Sequence, residues 1–218
     1  MCWNADISIN TFLFSCLSLI FIYFTNTYTK YKTPAFNNPI VYLFLLEVIS
    51  IQLLEFFLWR NLKDKKWNEW LSKIVSFIIF LQPITLMTLN PQPVLRNVNI
   101  LLYIVFIISI LIYKDLYNPI VFHTSVGDNG HLLWEWLKYT GHESIIGWIF
   151  LCLYVFATIN TNIFHLEWFI LLSLVISLFF YRTITYASMW CWLANLFFIY
   201  FIVNILIIQP FYEYNGLC

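Results

Sequence analysis

The chain has 218 residues, of which 61% are hydrophobic, 21% aromatic and only 10% charged, and its formal net charge is zero. Soluble domains carry about 25% charged residues, so too little polar surface remains here to cover a globule that faces water. The composition excludes a soluble protein, and the lack of excess positive charge gives no basis for a nucleic-acid partner. We predict one polytopic domain, 1–218, an all-α integral membrane protein whose first partner is the lipid bilayer.

Seven apolar stretches approach or exceed the length that a helix needs to cross a membrane, about 20 residues with about 17 as the lower limit. They are about 9–25, 39–59, 70–89, 98–113, 144–160, 163–181 and 184–209. Asn160-Thr161-Asn162 predicts a tight turn between the fifth and sixth stretches. The sequence therefore predicts a bundle of about seven transmembrane helices with one polar loop between helices four and five.

The distribution of Lys and Arg predicts the orientation, because short cytoplasmic loops are enriched in both. With seven spans, the N-terminal side would carry Arg60, Lys63, Lys65, Lys66, Lys73, Lys114, Lys138 and Arg182. The other side would carry only Lys30, Lys32 and Arg96. This predicts a cytoplasmic N-terminus, although the first hairpin alone favours the reverse. Cys2 and Cys218 would then lie on opposite sides and would not form a disulfide.

The second span contains two carboxyl groups, and an ionisable side chain in hydrocarbon costs about 3 kcal/mol or more. At about 100° per residue, Glu47, Gln52 and Glu55 share one helix face, with the carboxyls about 12 Å apart along the axis. That face is expected to point into the bundle or a watery cavity, and it predicts a proton or cation path or an acid–base pair. The alternative is structural: Glu55 snorkels or pairs with Arg60, and Glu47 is hydrogen-bonded inside the bundle.

Polar residues also occur in the third and seventh spans. Gln82-Pro83 predicts a kink, because the proline frees a backbone carbonyl one turn earlier, which Gln82 or a neighbour has to satisfy. In the seventh span, small and polar residues recur at i, i+3 and i+7 (Ser188, Cys191 and Asn195), which is typical of close helix packing. Asn195 is a candidate partner for the carboxyl-bearing face of the second span.

The polar stretch Lys114–Glu143 carries three of the four histidines: His123, His131 and His142. Asp128-Asn129-Gly130 predicts a tight turn, with 121–126 and 131–136 forming a short hairpin at the membrane surface. A two-residue loop would place His123 opposite Trp136 and His131 on the other face. A three-residue loop would place His123 opposite Glu135, with His131 on their face, and the sequence leaves this register open.

Of the two registers, only the three-residue loop would bring His123, His131 and Glu135 together as candidate metal ligands, with Asp128 in the turn beside them. His131 and Glu135 would also share a face if this segment were a helix, at i and i+4. The spacing of the histidines matches no zinc motif, and the five cysteines form no metal-binding spacing. In the simpler interpretation the histidines cap turns and bond the loop backbone. No cofactor is predicted, and retinal is excluded because the seventh span has no lysine for a Schiff base.

Five short motifs are spread over almost the whole chain: Met1-Cys2-Trp3-Asn4-Ala5, Gln52-Leu53-Leu54-Glu55, Gln82-Pro83, Asn129-Gly130-His131-Leu132-x-Trp134 and Trp190-Cys191-Trp192. On these motifs the chain resembles an uncharacterised group of small multi-pass membrane proteins from large DNA viruses, algae and some bacteria. The resemblance implies a shared fold. It carries no established activity, so it assigns no catalytic residues.

Three kinds of function fit these patterns. The leading hypothesis is a transporter or channel for protons, cations or a small solute, with Glu47, Gln52, Glu55, Gln82 and Asn195 along a polar seam. The second is a metal-dependent membrane enzyme that uses the loop histidines, which requires them to meet Glu47 or Glu55 at one membrane surface. The third is a structural or assembly protein without chemistry. Each is compatible with a homo-oligomer.

Overall fold

The computed structural model describes residues 4–117, 119–137, 144–159, 161, 164–181 and 185–215. Seven helices in this part of the chain coincide with the predicted spans. They are α1 (Ala5–Tyr28), α2 (Pro39–Arg60), α3 (Lys65–Thr88), α4 (Pro93–Tyr117), α5 (Ser144–Ile159), α6 (Phe164–Phe180) and α7 (Tyr186–Tyr214). Five of them, α1 to α4 and α7, are long and apolar enough to cross a membrane. The prediction of a helical, multi-pass membrane protein is confirmed.

Several helices extend beyond the apolar stretches because polar residues cap them. Asp64 accepts hydrogen bonds from the backbone N–H groups of Lys66 and Trp67 (both 3.1 Å), so α3 begins inside the predicted charged connector. At its C-terminal end, α4 continues to Tyr117. The polar stretch predicted from Lys114 therefore begins after Tyr117, and Lys114 belongs to the last turn of α4. Helical hydrogen bonding continues past the point where hydropathy falls.

The last helix is interrupted twice. Its first α-helical segment, Tyr186–Ala194, is followed by Leu196–Val203, by a π-helical turn at Asn204–Ile208 and by Gln209–Tyr214. At the π turn, Gln209 donates from Nε2 to Oδ1 of Asn204 (3.0 Å). The whole helix is longer than its predicted extent of 184–209, since the polar residues near its end are retained in the helix.

The polar stretch forms a two-stranded antiparallel hairpin of β1 (Thr124–Val126) and β2 (Leu132–Trp134). Thr124 pairs with Trp134, and the N–H of Gly127 donates to the carbonyl of His131 (2.8 Å). This is the register with the three-residue loop. Gly130 has φ 76°, a left-handed conformation that glycine adopts without steric cost. The tight turn predicted at Asp128-Asn129-Gly130 is therefore confirmed.

The hairpin is packed into the protein instead of facing water. Leu132 and Thr124 have 0% and Trp134 1% of their surface exposed. Asn68 of α3 clamps Thr124: its Nδ2 donates to the Thr124 carbonyl and its Oδ1 accepts from the Thr124 N–H, both at 2.8 Å. At the tip, Asn129 donates to Oγ1 of Thr185 (2.7 Å), just before α7. The hairpin therefore joins the starts of α3 and α7.

The helices are unequally buried. In the most apolar 18-residue stretch of each helix, 50% of α2 and 56% of α3 is buried inside the protein, whereas only 11% of α4 is buried. The centre of the bundle is therefore α2 and α3, which α1, α5 and α7 flank. α4 packs on α3 at the periphery, and most of its apolar surface is left for lipid.

The chain enters and leaves the described bundle at opposite ends. Arg60, at the end of α2, lies 3.9 Å from Asp6, near the start of α1. Lys30, after the end of α1, pairs with Glu213 near the end of α7. α1 and α7 therefore run in the same direction, which agrees with an odd number of crossings. The predictions that fall outside the described residues concern Cys2, Cys218, Lys138, Arg182, His142, Glu143 and the turn residues Asn160 and Asn162.

Candidate functional site

The polar face of α2 lies inside the bundle. The exposed fraction is 7% for Glu47 and 0% for both Gln52 and Glu55. Arg60, the cation considered as a partner for Glu55, is beside Asp6 instead. No ion pair among the described residues includes Glu47. The snorkelling interpretation therefore does not describe Glu55, which is fully enclosed.

Glu55 links α2 to the start of α7. The hydroxyl of Ser188 donates to its Oε1 at 2.7 Å, and the amide of Gln52 donates to its Oε2 at 3.1 Å. Gln52 and Glu55 are three residues apart, a spacing that places side chains next to each other on a helix. Oε1 of Gln52 is buried and has no hydrogen-bond partner in the described structure. One polar atom of this network therefore has no hydrogen-bond partner among the described residues.

Glu47 links α2 to α3. The hydroxyl of Thr85 donates to Oε1 of Glu47 at 2.8 Å, while Oε2 is buried and has no hydrogen-bond partner in the described residues. One turn earlier on α3, Oε1 of Gln82 accepts from the hydroxyl of Tyr154 on α5 (2.7 Å), and its Nε2 is likewise buried without a partner. Buried polar atoms without protein partners are uncommon and call for an explanation such as a water molecule or an ion.

A small cavity of about 30 Å³ adjoins Gln82 and Tyr154. Gln82 and Tyr154 line it together with Cys191 of α7 and two α2 residues that flank Glu47 in sequence, Phe44 and Val48. A water molecule needs about 10–15 Å³ of such space, so the cavity accommodates one or two. Ligand sites for small organic molecules occupy about 300–1,000 Å³. The cavity is therefore large enough for water and too small for an organic solute.

Asn195 belongs to a different network from the one expected. Its Oδ1 accepts from the hydroxyl of Ser15 on α1 (2.7 Å), and its Nδ2 donates to the carbonyl of Cys191 (2.8 Å). In the small and polar stripe of α7, it is Ser188 that reaches the carboxyl face of α2. The stripe thus joins α7 to two helices at two levels. Sequence periodicity gives the stripe but not which helix each member meets.

α4 supports the backbone of α3 next to Pro83. The hydroxyl of Tyr103 donates at 2.9 Å to the carbonyl of Phe80, which is next to the Ile79 carbonyl that the proline leaves without its N–H donor. α3 continues helically through the proline. The Gln82 side chain, which was a candidate partner for the carbonyl freed by Pro83, bonds Tyr154 instead. Tyr154, Thr85 and Tyr103 were not singled out from the sequence, and their hydroxyls within apolar spans are the signal that would have found them.

The loop residues do not form a metal centre among the described residues, in which no group of three His, Cys, Asp or Glu side chains could hold a metal ion. The register brings His123 opposite Glu135, but Oε1 of Glu135 accepts from the hydroxyl of Ser125 (2.9 Å). His131 packs edge-on against Tyr181, with ring centroids 5.2 Å apart. It is four residues from Glu135, about 13 Å along an extended strand, so sharing a face does not bring the two together.

The loop histidines have separate environments. Burial lowers the pKa of His131, which is 5% exposed. His123 lines a groove at the protein surface with Lys65 and Lys73. Asp128 is exposed in the turn. The polar seam on α2 and the loop residues His123, Asp128, His131 and Glu135 are therefore two distinct sites.

Comparison of this chain with protein-family models, with curated proteins and with solved structures found no significant match.

Proposed function

We propose that this protein crosses the membrane seven times, with its N-terminus in the cytoplasm, and that the buried face of α2 transfers protons between the two halves of the bundle. α5 and α6, with 16 and 17 residues, are near the lower limit for a crossing, and mismatch of that size is accommodated by local thinning of the bilayer. The lysines and Arg60 between the spans favour a cytoplasmic N-terminal side.

The observation that carries the proposal is the state of Glu47. Its carboxyl is buried and has one oxygen bonded to Thr85 and the other without a partner in the described residues. Gln82, one turn from Thr85 on α3, lines a cavity that admits water. A carboxyl group in such surroundings is stable only when a proton or a cation neutralises it. The size of the cavity favours the proton, because a cation would bring several oxygen ligands or waters with it.

Glu55 supplies a second proton-binding group on the same face. The two carboxyls are about 12 Å apart along the helix axis, too far for direct transfer, and Gln52 lies between them with one buried oxygen that has no hydrogen-bond partner among the described residues. Gln82 and Tyr154 offer further hydrogen-bonding groups at the cavity. In this scheme Glu47 and Glu55 bind the proton, and the amides and waters orient it between them.

Proton flux into liposomes tests the scheme. Purified protein is reconstituted, a potassium diffusion potential drives uptake, and an enclosed pH dye reports it. We expect the wild type to conduct protons. The flux through the E47Q/E55Q double variant should be at least tenfold lower, since an amide keeps the hydrogen bonds but binds no proton. E69Q, which changes an exposed carboxyl of α3, is the matched control and should conduct normally. Wild-type flux in the double variant, or none in the wild type, overturns the proposal.

A structural protein without chemistry is the second candidate. It is supported by the way each buried carboxyl bonds a neighbouring helix, α3 for Glu47 and α7 for Glu55, since interhelical hydrogen bonds of this kind hold membrane bundles together. This candidate expects no flux from the wild type, together with lower thermal stability of E47A and E55A. A metal-dependent enzyme has no support from the loop, because the described histidines do not converge.

A further inference from the structure

Two cavities of opposite character meet on the hairpin side of the protein. The first, here called the α3–α4 cleft, is about 330 Å³ in volume and is lined by apolar side chains of the two helices, among them Phe77, Ile84 and Ile104. The second, here called the lysine groove, is a surface depression of about 730 Å³. Ile120 and Phe122 line both, so the two cavities are contiguous.

Charge is confined to one end of this combined space. Lys114 lines the cleft, is only 7% exposed and belongs to the last turn of α4. The lysine groove adds Lys63, Lys65 and Lys73, and the one acidic residue in its lining, Glu69, pairs with Lys73 at 2.6 Å. The groove therefore has positive charge in excess, and the remainder of the cleft is almost wholly apolar. This is the distribution that an amphiphile with a negative head group requires.

The dimensions of the cleft match one half of a bilayer. From Lys114 back to Ile104 is ten residues of α helix, about 15 Å. The hydrocarbon core of a bilayer is about 30 Å thick, so the cleft extends over about the depth of one leaflet. Its volume is at the lower end of the range of about 300–1,000 Å³ that small-molecule sites occupy. A single acyl chain, lying along α4, has the required shape.

We propose that the α3–α4 cleft and the lysine groove bind an anionic phospholipid. One acyl chain occupies the cleft between α3 and α4, and the phosphate lies where the cleft meets the groove, within reach of Lys114 and the groove lysines. Basic pockets between transmembrane helices recognise anionic head groups in this way. Only 11% of the most apolar stretch of α4 is buried, so a lipid can enter the cleft from the side. The site is separate from the α2 seam and does not depend on proton transfer.

Lipid retention measured by native mass spectrometry tests the site. The protein is delipidated, exchanged into mixed micelles that contain equal amounts of phosphatidylglycerol and phosphatidylcholine, and the bound lipids are counted. We expect the wild type to retain one phosphatidylglycerol with at least tenfold preference. K114Q should lose most of that preference because it removes the buried charge. I108W, which fills the cleft, should lose retention of both lipids.

Two further variants make the test independent of folding. K65Q/K73Q removes exposed charges from the groove without changing the cleft, and it should weaken the preference for phosphatidylglycerol. R96Q removes a cation at the start of α4, remote from the groove, and should behave as the wild type. Equal retention of the two lipids by the wild type would mean annular lipid only and overturns the proposal. An unchanged preference for phosphatidylglycerol in both K114Q and K65Q/K73Q also overturns it.

Discussion

At the scale of single residues, the Tyr154 hydroxyl is a sensitive point of the bundle. It donates to Gln82 at 2.7 Å, and the exposed fractions of the two residues are 3% each. Y154F leaves the Gln82 amide oxygen buried without its donor, so we expect a loss of about 1–3 kcal/mol in the free energy of unfolding. Chemical denaturation in detergent micelles measures it.

The control for this variant is Y113F, because Tyr113 is 40% exposed on α4 and should lose little. The double variant Y154F/Q82L removes both partners, and replacing both members of a buried pair by apolar groups is nearly neutral. Recovery of stability in the double variant is therefore expected. A single variant Y154F as stable as the wild type would contradict this account.

The second prediction at this scale concerns pH and His131. Burial lowers the pKa of His131 from the ordinary value of 6.5, so the unfolded state binds its proton at a higher pH than the folded state does. Its contribution to stability is therefore complete above about pH 6.5 and is lost as the pH falls through the lower folded-state value. We expect the hairpin to loosen as the pH falls below about 6.5, measured by amide hydrogen exchange of β1 and β2.

H131F, which keeps a ring against Tyr181 but cannot be protonated, is the matched variant. It should remove this part of the pH dependence and leave exchange at pH 7.5 close to that of the wild type. Identical pH profiles for H131F and the wild type would show that another group is responsible.

At the scale of elements, the hairpin depends on one side chain of α3. Asn68 is 0% exposed and makes two hydrogen bonds of 2.8 Å to the backbone of Thr124. N68A leaves a backbone N–H and a carbonyl buried and unpaired, at about 1–3 kcal/mol for each. We expect the hairpin amides to exchange at least tenfold faster, with smaller changes in α2.

Two replacements define the origin of that effect. N68D keeps the acceptor for the Thr124 N–H but loses the donor, so it should lie between the wild type and N68A. N61A removes an asparagine that is more exposed and bonds only its own helix, at the Phe57 carbonyl, and it should not affect the hairpin. Equal exchange in N68A and the wild type would mean that packing of Trp134 and Leu132 alone holds the hairpin.

At the scale of the whole molecule, the number of crossings is the property to test. With seven crossings and the proposed cytoplasmic N-terminus, Lys63 lies in the cytoplasm, whereas Lys32 and the end of α5 lie outside. The three positions replaced by cysteine in a cysteine-free background, K63C, K32C and I159C, are to be labelled with a membrane-impermeant maleimide in intact cells. We expect K32C and I159C to react, and K63C to react only after permeabilisation, because charges in the α2–α3 connector favour the cytoplasm.

Ile159 decides between seven crossings and five. It is the last residue of α5 and is 51% exposed, and it lies outside only when α5 and α6 both cross. If I159C reacts from the same side as K63C, α5 and α6 do not span the bilayer, and the count of seven is wrong. Reversal of all three positions would leave the count intact and place the N-terminus outside.

Much of the helical framework follows from composition along the chain. Each predicted span lies on a helix, because runs of apolar residues of that length leave the backbone no other way to satisfy its hydrogen bonds in lipid. The ends are less accurate, as at Lys65 and Tyr117, since caps and interfacial residues extend helices beyond the hydropathy signal. Gly130 and the turn before it were also predictable, because turn chemistry is local.

The residues that share a face of α2 were predicted by periodicity, but their partners were not. Glu47 meets Thr85, Glu55 meets Ser188, and Asn195 is bonded to Ser15. Each pairing depends on how far one helix is rotated and shifted against its neighbour. That is set by the packing of many side chains at once, so no single stretch of sequence contains it. The same holds for Tyr103, which reaches the Phe80 carbonyl from another helix.

The sequence by itself determined that this is a helical membrane protein with a carboxyl-bearing face on α2 and a tight turn at Asp128-Asn129-Gly130. These properties depend on hydropathy, helical period and turn preference, each of which acts within a few residues. Only the tertiary structure decided that the hairpin is buried in a three-residue-loop register and that His131 packs on Tyr181, away from Glu135. It also placed Lys114 in an apolar cleft. The reason is that contacts between distant segments depend on the packing of the whole chain.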